Sequence, residues 1–332
     1  MIASGSKGRK QPARTHTRAR TSPRPEFAPI VPLSYITTSM GGRLAVHLDA
    51  GNRAEEARLT GPRLAARIER WASRITRHAE TSDLIRLNSD PATEVAVGPT
   101  LVAAIRAGIF ASDASEGFAD ITLLNARLAA EGIGEGAGAS RLDEWQLLPG
   151  RRGAAVVMRP AGLRFDLGGV GKGWIADRAL GLLDSWPSAL VDADGALAMR
   201  CAPGQCWEIG IEDPRTGLNM AVLRLTAPHG GMPVRWGVAT SGISVHRWTV
   251  GGVATHHLID PRTGHPAETD IVQATVVAES ALRAEALAKA AVIAGGIDGF
   301  ALLERARVRG AILLTSRGDV QALPATLSLL AA

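Results

Sequence analysis

Residues 163–177 read LRFDLGGVGKGWIAD, in which an acid, four glycines and a lysine lie between two apolar runs. This pattern predicts a buried strand, a tight turn and the start of a helix. Glycines let backbone N–H groups approach a phosphate, a helix start adds partial positive charge, and Lys172 adds a full charge. We expect a nucleotide-like anion here. A turn whose glycines serve only the backbone is the alternative, because the spacing matches neither common phosphate-loop motif.

Further motifs lie on both sides of this stretch. Downstream are ALVDADG from residue 189, WEIGIEDP from 207, VATSG from 238 and HHLIDPRTGHP from 256; upstream are TTSMGGRLAVHL from 37, SDLIRLNSD from 82 and FADITLL from 118. In this order the motifs resemble those of the FAD:protein FMN transferase (ApbE) family. The resemblance runs from about residue 36 to the end of the chain, and GGVGKG and HHLIDPRTG are its most specific motifs.

The resemblance implies an α+β fold of the ApbE-like, T-fold-related kind, with mixed antiparallel sheets and packed helices. The mixture of helical and strand patterns along the chain also favours α+β. We expect residues 33–332 to form a single flavin-binding domain. Enzymes of the family bind FAD and Mg²⁺, move the FMN half onto a hydroxyl of a partner protein and release AMP.

His257 is the candidate catalytic base, because it stands directly before LIDPRTG, where the family carries its histidine. An imidazole can take a hydroxyl proton near neutral pH, and Asp260 is close enough in sequence to orient it or to hold the local turn. In the alternative interpretation, Asp260 only caps the turn that follows it.

The resemblance also implies a set of cofactor contacts. His78 departs from the family, which commonly has tyrosine there, although an imidazole can still stack on a flavin. Met40 and Leu258 could equally be core residues. The predicted contacts are Met40, His78, Ala119, Asp120, Ile121, Asp166, Lys172 and Leu258.

The metal site implied by the family is altered in this chain. The family holds Mg²⁺ with a backbone carbonyl, here near Gly169, and with Asp and Thr side chains four apart on the last helix. This chain has Glu285 and Lys289 at those two positions. An ammonium has no lone pair for a metal, so Mg²⁺ is doubtful here, and the two residues could instead form an ordinary helix pair. Asp194 in ALVDADG replaces a usual glycine and adds negative charge.

Composition confines the basic character to one end of the chain. The net charge is +5, but seven cations precede the first acid at Glu26, and removing them leaves −2 for the rest. We expect residues 1–32 to be a disordered basic tail and the body to have no general affinity for nucleic acid. The chain shows no secretory signal, lipid-attachment cysteine or membrane-spanning apolar run, so we expect a cytoplasmic protein. Cys201 and Cys206 are expected to be free thiols.

Periodicity and breaker residues predict the other elements. A glycine-rich loop over residues 131–140 is interpreted as a surface insertion rather than a lid. Helices are predicted at residues 62–78, 100–112 and 280–294, and strands at 43–48, 154–158, 163–167, 189–192, 207–211, 222–225, 236–240, 247–250, 272–278 and 311–314.

Three functions are open at this level. The first is an FMN transferase that modifies a Thr or Ser of a partner protein. The second is an FAD pyrophosphatase that uses water as the nucleophile and gives FMN and AMP. The third is a catalytically silent flavin-binding protein, which the departures at Asp194 and Lys289 favour.

Overall fold

The computed structural model describes residues 27–134 and 138–331. Most of the predicted tail, residues 1–26, and residues 135–137 of the predicted glycine-rich loop lie outside this range. The tail prediction extended to residue 32, but Ala28–Pro29 forms strand β1 and pairs in parallel with Gln205 and Cys206. Within the described ranges, no helix has the length and apolar character needed to cross a membrane.

Strands and helices both occur throughout the described residues. The strands are β1 Ala28–Pro29, β2 Leu33–Ser39, β3 Gly42–Leu48, β4 Glu94–Val97, β5 Gln146–Pro149, β6 Ala155–Met158, β7 Ala189–Ala193, β8 Ala196–Cys201, β9 Gln205–Glu212, β10 Asn219–Thr226, β11 Val234–Gly242, β12 Arg247–Val250, β13 Val253–His256, β14 Ile259–Asp260, β15 His265–Pro266, β16 Ile271–Ala278, β17 Gly310–Thr315 and β18 Val320–Ala322. The helices are α1 Ala54–Ile75, α2 Asp83–Ser89, α3 Pro99–Ala114, α4 Leu124–Ala130, α5 Gly171–Leu180, α6 Ala281–Ala294 and α7 Gly296–Arg305.

An eight-stranded sheet organises the fold, with strand order β18-β17-β16-β11-β8-β7-β3-β2 and antiparallel neighbours throughout. Successive residues of a strand point to opposite faces, and β7 shows what covers each face. Val191 packs in the core that contains α1, α3 and α5, whereas Leu190 packs in a separate core with β9 and β10. The sheet therefore lies between a helical layer and the small sheet β1-β9-β10.

Helix α6 lies very close to the central sheet. Gly237 of β11 permits this approach, because a Cβ at that position would collide with the backbone of Ser280. Ser280 caps the helix by accepting a hydrogen bond from the N–H of Arg283 at 3.2 Å, and Gly295 follows the helix with φ of +84°. These two boundaries match the predicted start and end of this helix, which was predicted to be the last in the chain and is followed by α7.

The predicted strand over residues 163–167 is wrong, because this segment joins no sheet. Its hydrogen bonds go elsewhere: the N–H and C=O of Phe165 both bond the side chain of Asn88 at 2.8 Å, and the N–H of Asp166 donates to the Ile121 carbonyl at 2.8 Å. Phe165 is fully buried and packs edge-on against Trp145. The apolar pattern of residues 163–167 therefore indicates that the segment is buried, and not that it pairs with another strand.

Helix predictions were right about the presence of the long helices and less accurate about their limits. The first helix begins at Ala54, eight residues before the predicted start at Pro62, which lies inside it. Glu55 and Glu56 in its first turn favour the earlier start, because carboxylates stabilise a helix N-terminus. Helices α2, α4 and α7 were not predicted. The mixture of antiparallel sheets and packed helices confirms the predicted α+β class.

Candidate functional site

Hydrogen bonds within the segment stabilise the glycine turn at residues 166–171. Asp166 accepts a hydrogen bond from the N–H of Gly168 at 2.8 Å, and the Leu167 carbonyl accepts from the N–H groups of Val170 at 3.2 Å and Gly171 at 2.8 Å. Helix α5 starts at Gly171, so the turn leads directly into a helix N-terminus. The predicted turn and helix start are confirmed, and this arrangement favours bound anions.

Lys172 points from the first turn of α5 to Asp194. Its Nζ lies 3.3 Å from both the Oδ2 atom and the carbonyl oxygen of Asp194. Asp194 has φ of +53° in the β7–β8 turn, and a Cβ on Gly42 would collide with its carboxyl group. The absence of a side chain at Gly42 thus makes room for Asp194, whose charge balances Lys172.

Lys289 of α6 also lies against this turn. A Cβ built on Gly169 would collide with its Nζ, so the ammonium lies directly over this glycine. Lys289 is half-buried, and burial lowers its pKa, whereas the carboxylates of Glu285 and Asp166 act in the opposite direction. Glu285 and Lys289 are not an exposed surface pair, because Glu285 is buried against α5 and the ammonium of Lys289 lies over Gly169, although Glu285 still acts on the charge of Lys289.

Glu285 supports the start of α5. It is buried, and its Oε2 accepts a hydrogen bond from the N–H of Gly173 at 2.8 Å. Asp177 of α5 makes the converse contact, because it accepts hydrogen bonds from the N–H groups of Ala281 and Leu282 at the start of α6, both at 2.9 Å. The two helices thus supply an acid to each other's first turn.

Burial raises the pKa of Asp177 to about 6, although the two backbone N–H bonds favour its charged form. Sequence analysis did not assign this residue a role. The available signal was a carboxylate on the apolar side of a predicted helix, between Trp174 and Leu180.

The residues near the turn do not form an evident magnesium site. Among residues 27–134 and 138–331, no group of three or more His, Cys, Asp and Glu side chains is placed to hold a metal ion. One oxygen of Glu285 is engaged by Gly173, and the space over Gly169 is filled by an ammonium. Mg²⁺ prefers about six oxygen ligands in near-octahedral geometry. The donors present do not fit that ion.

His257 follows β13 and is half-buried. Its Nδ1 is buried without a hydrogen-bond partner, and its ring contacts that of His246 edge-on at 5.2 Å. Burial lowers the pKa of His257 to about 2, with further lowering by the charges of Arg127 and Lys289. The imidazole is therefore neutral at physiological pH, which is the form that a base requires.

A network of ion pairs supports the backbone at His257. The Nη1 of Arg127 donates to the His257 carbonyl at 2.7 Å, and its Nε donates to Glu131 at 2.6 Å. Arg77 also pairs with Glu131 at 2.6 Å, which connects the end of the first long helix to this site. Sequence analysis missed these three charged residues. The i,i+4 spacing of Arg127 and Glu131 was the only local signal for them.

Asp120 lies beside the glycine turn. Its carboxylate accepts hydrogen bonds from the N–H of Thr122 at 2.7 Å and from the Thr122 hydroxyl at 2.8 Å, and burial raises its pKa. Ala119 and Ile121 are buried, and the Ile121 carbonyl accepts the N–H of Asp166. The structure thus brings the predicted contacts at residues 119–121 and 166 together.

Asp260 holds its own turn and is not bonded to His257. Its carboxylate accepts hydrogen bonds from three nitrogen atoms of Arg262, and its carbonyl accepts the N–H of Gly264 at 2.8 Å. The interpretation of Asp260 as a turn cap is confirmed. The N–H of Ser140 donates to the Pro261 carbonyl at 2.7 Å, so this end of the predicted glycine-rich insertion packs on the turn and is not a free surface loop.

The other predicted contacts lie around this centre with less direct connections. Met40 has φ of +56° in the turn between β2 and β3 and packs against the main core. Leu258 is 1% exposed and belongs to the core beside α6 and α7, so its core alternative is supported. His78 is exposed, next to Arg77. Cys201 and Cys206 are buried free thiols, as expected.

Comparison with known proteins gives a consistent result. A family model described as the ApbE family matches residues 40–313. The chain is 37% identical over 162 residues to an FAD:protein FMN transferase from Treponema pallidum, covering 45% of this chain and 42% of that relative. It is 36% identical over 127 residues to an FAD:protein FMN transferase from Salmonella typhimurium, and the alignment covers 37% of this chain and 35% of that relative. The aligned segments thus span less than half of each curated relative.

Solved structures agree over nearly the whole chain. The apo form of the Pseudomonas stutzeri flavinyl transferase ApbE matches with a TM-score of 0.72 and 23% identity, covering 91% of this chain and 98% of that one. The ApbE protein from Thermotoga maritima matches with a TM-score of 0.76 and 21% identity, covering 91% and 100%. At these identities the two structures establish the fold.

Proposed function

The chain belongs to the ApbE family, and from this premise we propose that it is an FAD:protein FMN transferase. Its substrates are FAD and the hydroxyl group of a Thr or Ser in an acceptor protein. Its products are AMP and an acceptor that carries FMN through a phosphoester. The curated relatives align over less than half of their length, so the proposal also depends on what the site can do.

The reaction exchanges one phosphorus–oxygen bond for another. The acceptor hydroxyl attacks the phosphorus on the flavin side of FAD, and the bond from that phosphorus to the bridging oxygen breaks. AMP leaves with that oxygen, and the hydroxyl proton passes to a base and then to AMP or solvent. Because negative charge develops on the transferring and leaving phosphates, the site must supply fixed positive charge and a proton acceptor.

The observation that carries the proposal is the convergence of two ammonium groups and one imidazole at the glycine turn. Lys289 lies over Gly169, and its pKa is lowered mainly by burial and further by the charge of Lys172. Lys289 in turn lowers the pKa of His257, whose buried Nδ1 has no partner. This arrangement has the parts that transfer from a diphosphate requires: cations for the phosphates and a neutral base.

The bound diphosphate would change the properties of His257. In the substrate-free protein, burial and neighbouring cations keep its pKa far below 6.5. Burial is the larger cause, and the charges of Arg127 and Lys289 add to it. A diphosphate bound beside these cations offsets their charge, so it raises the pKa of His257 by removing their part of the lowering. FAD binding therefore favours proton transfer to His257 compared with the substrate-free protein.

The remaining assignments follow from the family and stay predictions. Met40, His78 and Leu258 are predicted to contact the flavin, through two apolar side chains and the exposed imidazole of His78. The Thr or Ser target and the cytoplasmic location likewise come from the sequence interpretation.

The test is to incubate the purified chain with FAD, with and without protein extract from the source cell. AMP is measured by chromatography, and protein-bound flavin is measured by fluorescence on a denaturing gel. We expect AMP and a fluorescent acceptor band only when both substrates are present. AMP with free FMN in buffer alone would indicate hydrolysis, and bound FAD without AMP under all conditions would indicate a silent flavin-binding protein.

A further inference from the structure

Lysine is used very selectively in this chain. The sequence contains four lysines, and two of them, Lys7 and Lys10, lie outside the described residues. The other two, Lys172 and Lys289, both lie at the glycine turn, whereas the remaining cations of the fold are arginines. A compact ammonium fits the narrow space over a glycine, where a planar guanidinium is much larger. The presence of lysine, and not arginine, is therefore consistent with a compact positive charge beside Gly169.

The surroundings of Lys289 provide partial but not complete compensation of its charge. Glu285 and Asp166 are close enough to raise its pKa, but each also accepts a backbone hydrogen bond, from Gly173 and Gly168 respectively. Lys172 and Arg127 act on Lys289 in the opposite direction. A cation held between occupied acceptors and other cations retains capacity for an additional anion.

The position of this ammonium conflicts with the metal expected from the family. The expected ion would be held beside Gly169 by the side chains at positions 285 and 289. Here position 289 supplies a positive charge over Gly169 and no lone pair, so a divalent cation at that point would be repelled.

We propose that Lys289 is a built-in replacement for the divalent metal ion, and that its Nζ binds the diphosphate of FAD at the glycine turn. The inference rests on the proposed function for the identity of the ligand. Lys289 lies over Gly169, while Lys172 extends from the first turn of α5 toward Asp194. A diphosphate at the turn would meet the ammonium of Lys289 directly, with the Lys172–Asp194 pair nearby, and a lysine ammonium binds phosphate oxygens as a compact charge. FAD binding by this chain is therefore independent of added metal.

The first measurement needs no variant. FAD binding to the full chain is measured by calorimetry in buffer with EDTA and again with excess Mg²⁺. We expect the same affinity within about threefold. Binding that requires Mg²⁺ would overturn this inference and leave the proposed function standing, whereas no FAD binding in either buffer would overturn both.

The second measurement identifies the group that Lys289 contacts. Lys289→Met keeps the aliphatic stem and removes the charge, and Arg58→Met removes one exposed charge from the first long helix as a matched control. Loss of a charged hydrogen bond is expected to weaken FAD and ADP by about 10- to 100-fold in the Lys289 variant. Riboflavin, which has no phosphate, should bind equally well to the parent and both variants.

Two results would contradict the assignment. Unchanged FAD and ADP affinity in Lys289→Met would show that the ammonium does not contact the diphosphate. An equal loss for riboflavin would show that the variant has damaged the whole site. Circular dichroism and the parent measurement in EDTA keep the test valid if the variant is less stable.

Discussion

The burial of His257 and its lowered pKa are two properties that the sequence motif alone does not show. The side chain is half-buried with an unpartnered Nδ1, and its pKa is lowered to about 2 by burial and by neighbouring cations. Because the folded-state pKa lies below 6.5, the imidazole stays neutral as the pH falls through the usual histidine range. The neighbouring His256 is different, since its two ring nitrogens bond the Ala267 carbonyl at 3.0 Å and the Leu258 N–H at 3.2 Å. His256 therefore has a structural role and His257 is free for chemistry.

We expect His257→Ala to bind FAD and to lose most AMP release. The loss should be on the order of 10²-fold or more, because that is the usual contribution of a general base. His265→Ala is the matched control, as this exposed histidine begins strand β15, directly after the following turn. Binding is measured by flavin fluorescence and AMP by chromatography with an acceptor present. Equal AMP release by the His257 variant and the control would remove His257 from the mechanism.

Gly169 is the residue whose missing side chain leaves space for Lys289. Gly169→Ala places a methyl group where the Nζ of Lys289 lies. The ammonium is at the end of a flexible side chain and can move away, so we expect a folded protein with weakened FAD binding.

Gly181→Ala is the control for that change, because a Cβ there meets open space and the residue has helical φ and ψ. Thermal unfolding and FAD titration are measured on both variants. Unchanged FAD affinity in a folded Gly169→Ala protein would show that the turn is purely structural.

Helices α5 and α6 are coupled at the element scale through their first turns. Asp177 accepts two N–H groups of α6, and Glu285 accepts one N–H group of α5. These contacts position the two ends of the site relative to each other, because Lys172 lies on α5 and Lys289 lies on α6. Side-chain acceptors for the free N–H groups of a helix start typically contribute about 1 kcal/mol each.

The coupling predicts a specific pH dependence of stability. Burial raises the pKa of Asp177 from 3.8 to about 6, so the folded protein holds this proton more tightly than the unfolded chain does. The corresponding stability is fully present below 3.8 and is lost as the pH rises through about 6. A difference of about two between the folded-state and unfolded-state pKa values corresponds to roughly 3 kcal/mol in the free energy of unfolding.

Asp177→Asn removes this titration. We expect the free energy of unfolding of the parent, relative to this variant, to fall by roughly 3 kcal/mol between pH 4 and pH 7. Asp143→Asn, at an exposed position, is the control and should follow the parent at every pH. Urea unfolding across this pH range provides the measurement. Parallel curves for the parent and Asp177→Asn would contradict the assigned pKa.

Prediction from sequence succeeded where local chemistry decides the structure. Ser280 and Gly295 fixed the ends of α6 because a cap and a residue with positive φ act locally. Prediction failed where distant contacts decide. The apolar segment around Phe165 alternates like a strand, but Asn88, far away in sequence, takes its hydrogen bonds. Pro62 marked a plausible helix start, but the helix continues through it.

The same limit applies to the site. Lys172, Lys289, Asp166 and His257 were identified from motifs. The structure places the first three at the glycine turn, and the charge of Lys289 acts on His257. Their relations could not be predicted, because the position of Lys289 over Gly169 depends on how α6 packs on the sheet. Arg127, which supports the His257 carbonyl, belongs to no motif used and was found only in three dimensions.

At the scale of the whole molecule, the central sheet separates the glycine turn from a cavity on its other face. The glycine turn and α6 lie with the helical layer. A cavity of about 770 Å³ lies on the opposite face between the sheet and β9, with Leu190, Trp207 and Val238 in its wall. Asp194 connects the two sides, since it lines the cavity and also pairs with Lys172. The glycine turn thus lies near the ends of the interior strands β7 and β8, because the turn between them carries Asp194.

The ratio of AMP released to flavin bound covalently to protein tests the central claim most directly. It is measured in one reaction of the purified chain with FAD and source-cell extract, after denaturation and removal of free flavin. FMN transfer predicts one AMP for each protein-bound flavin, with both products absent when the extract is omitted. AMP accompanied only by free FMN, or no AMP at all, would contradict the assignment of this chain as an FMN transferase.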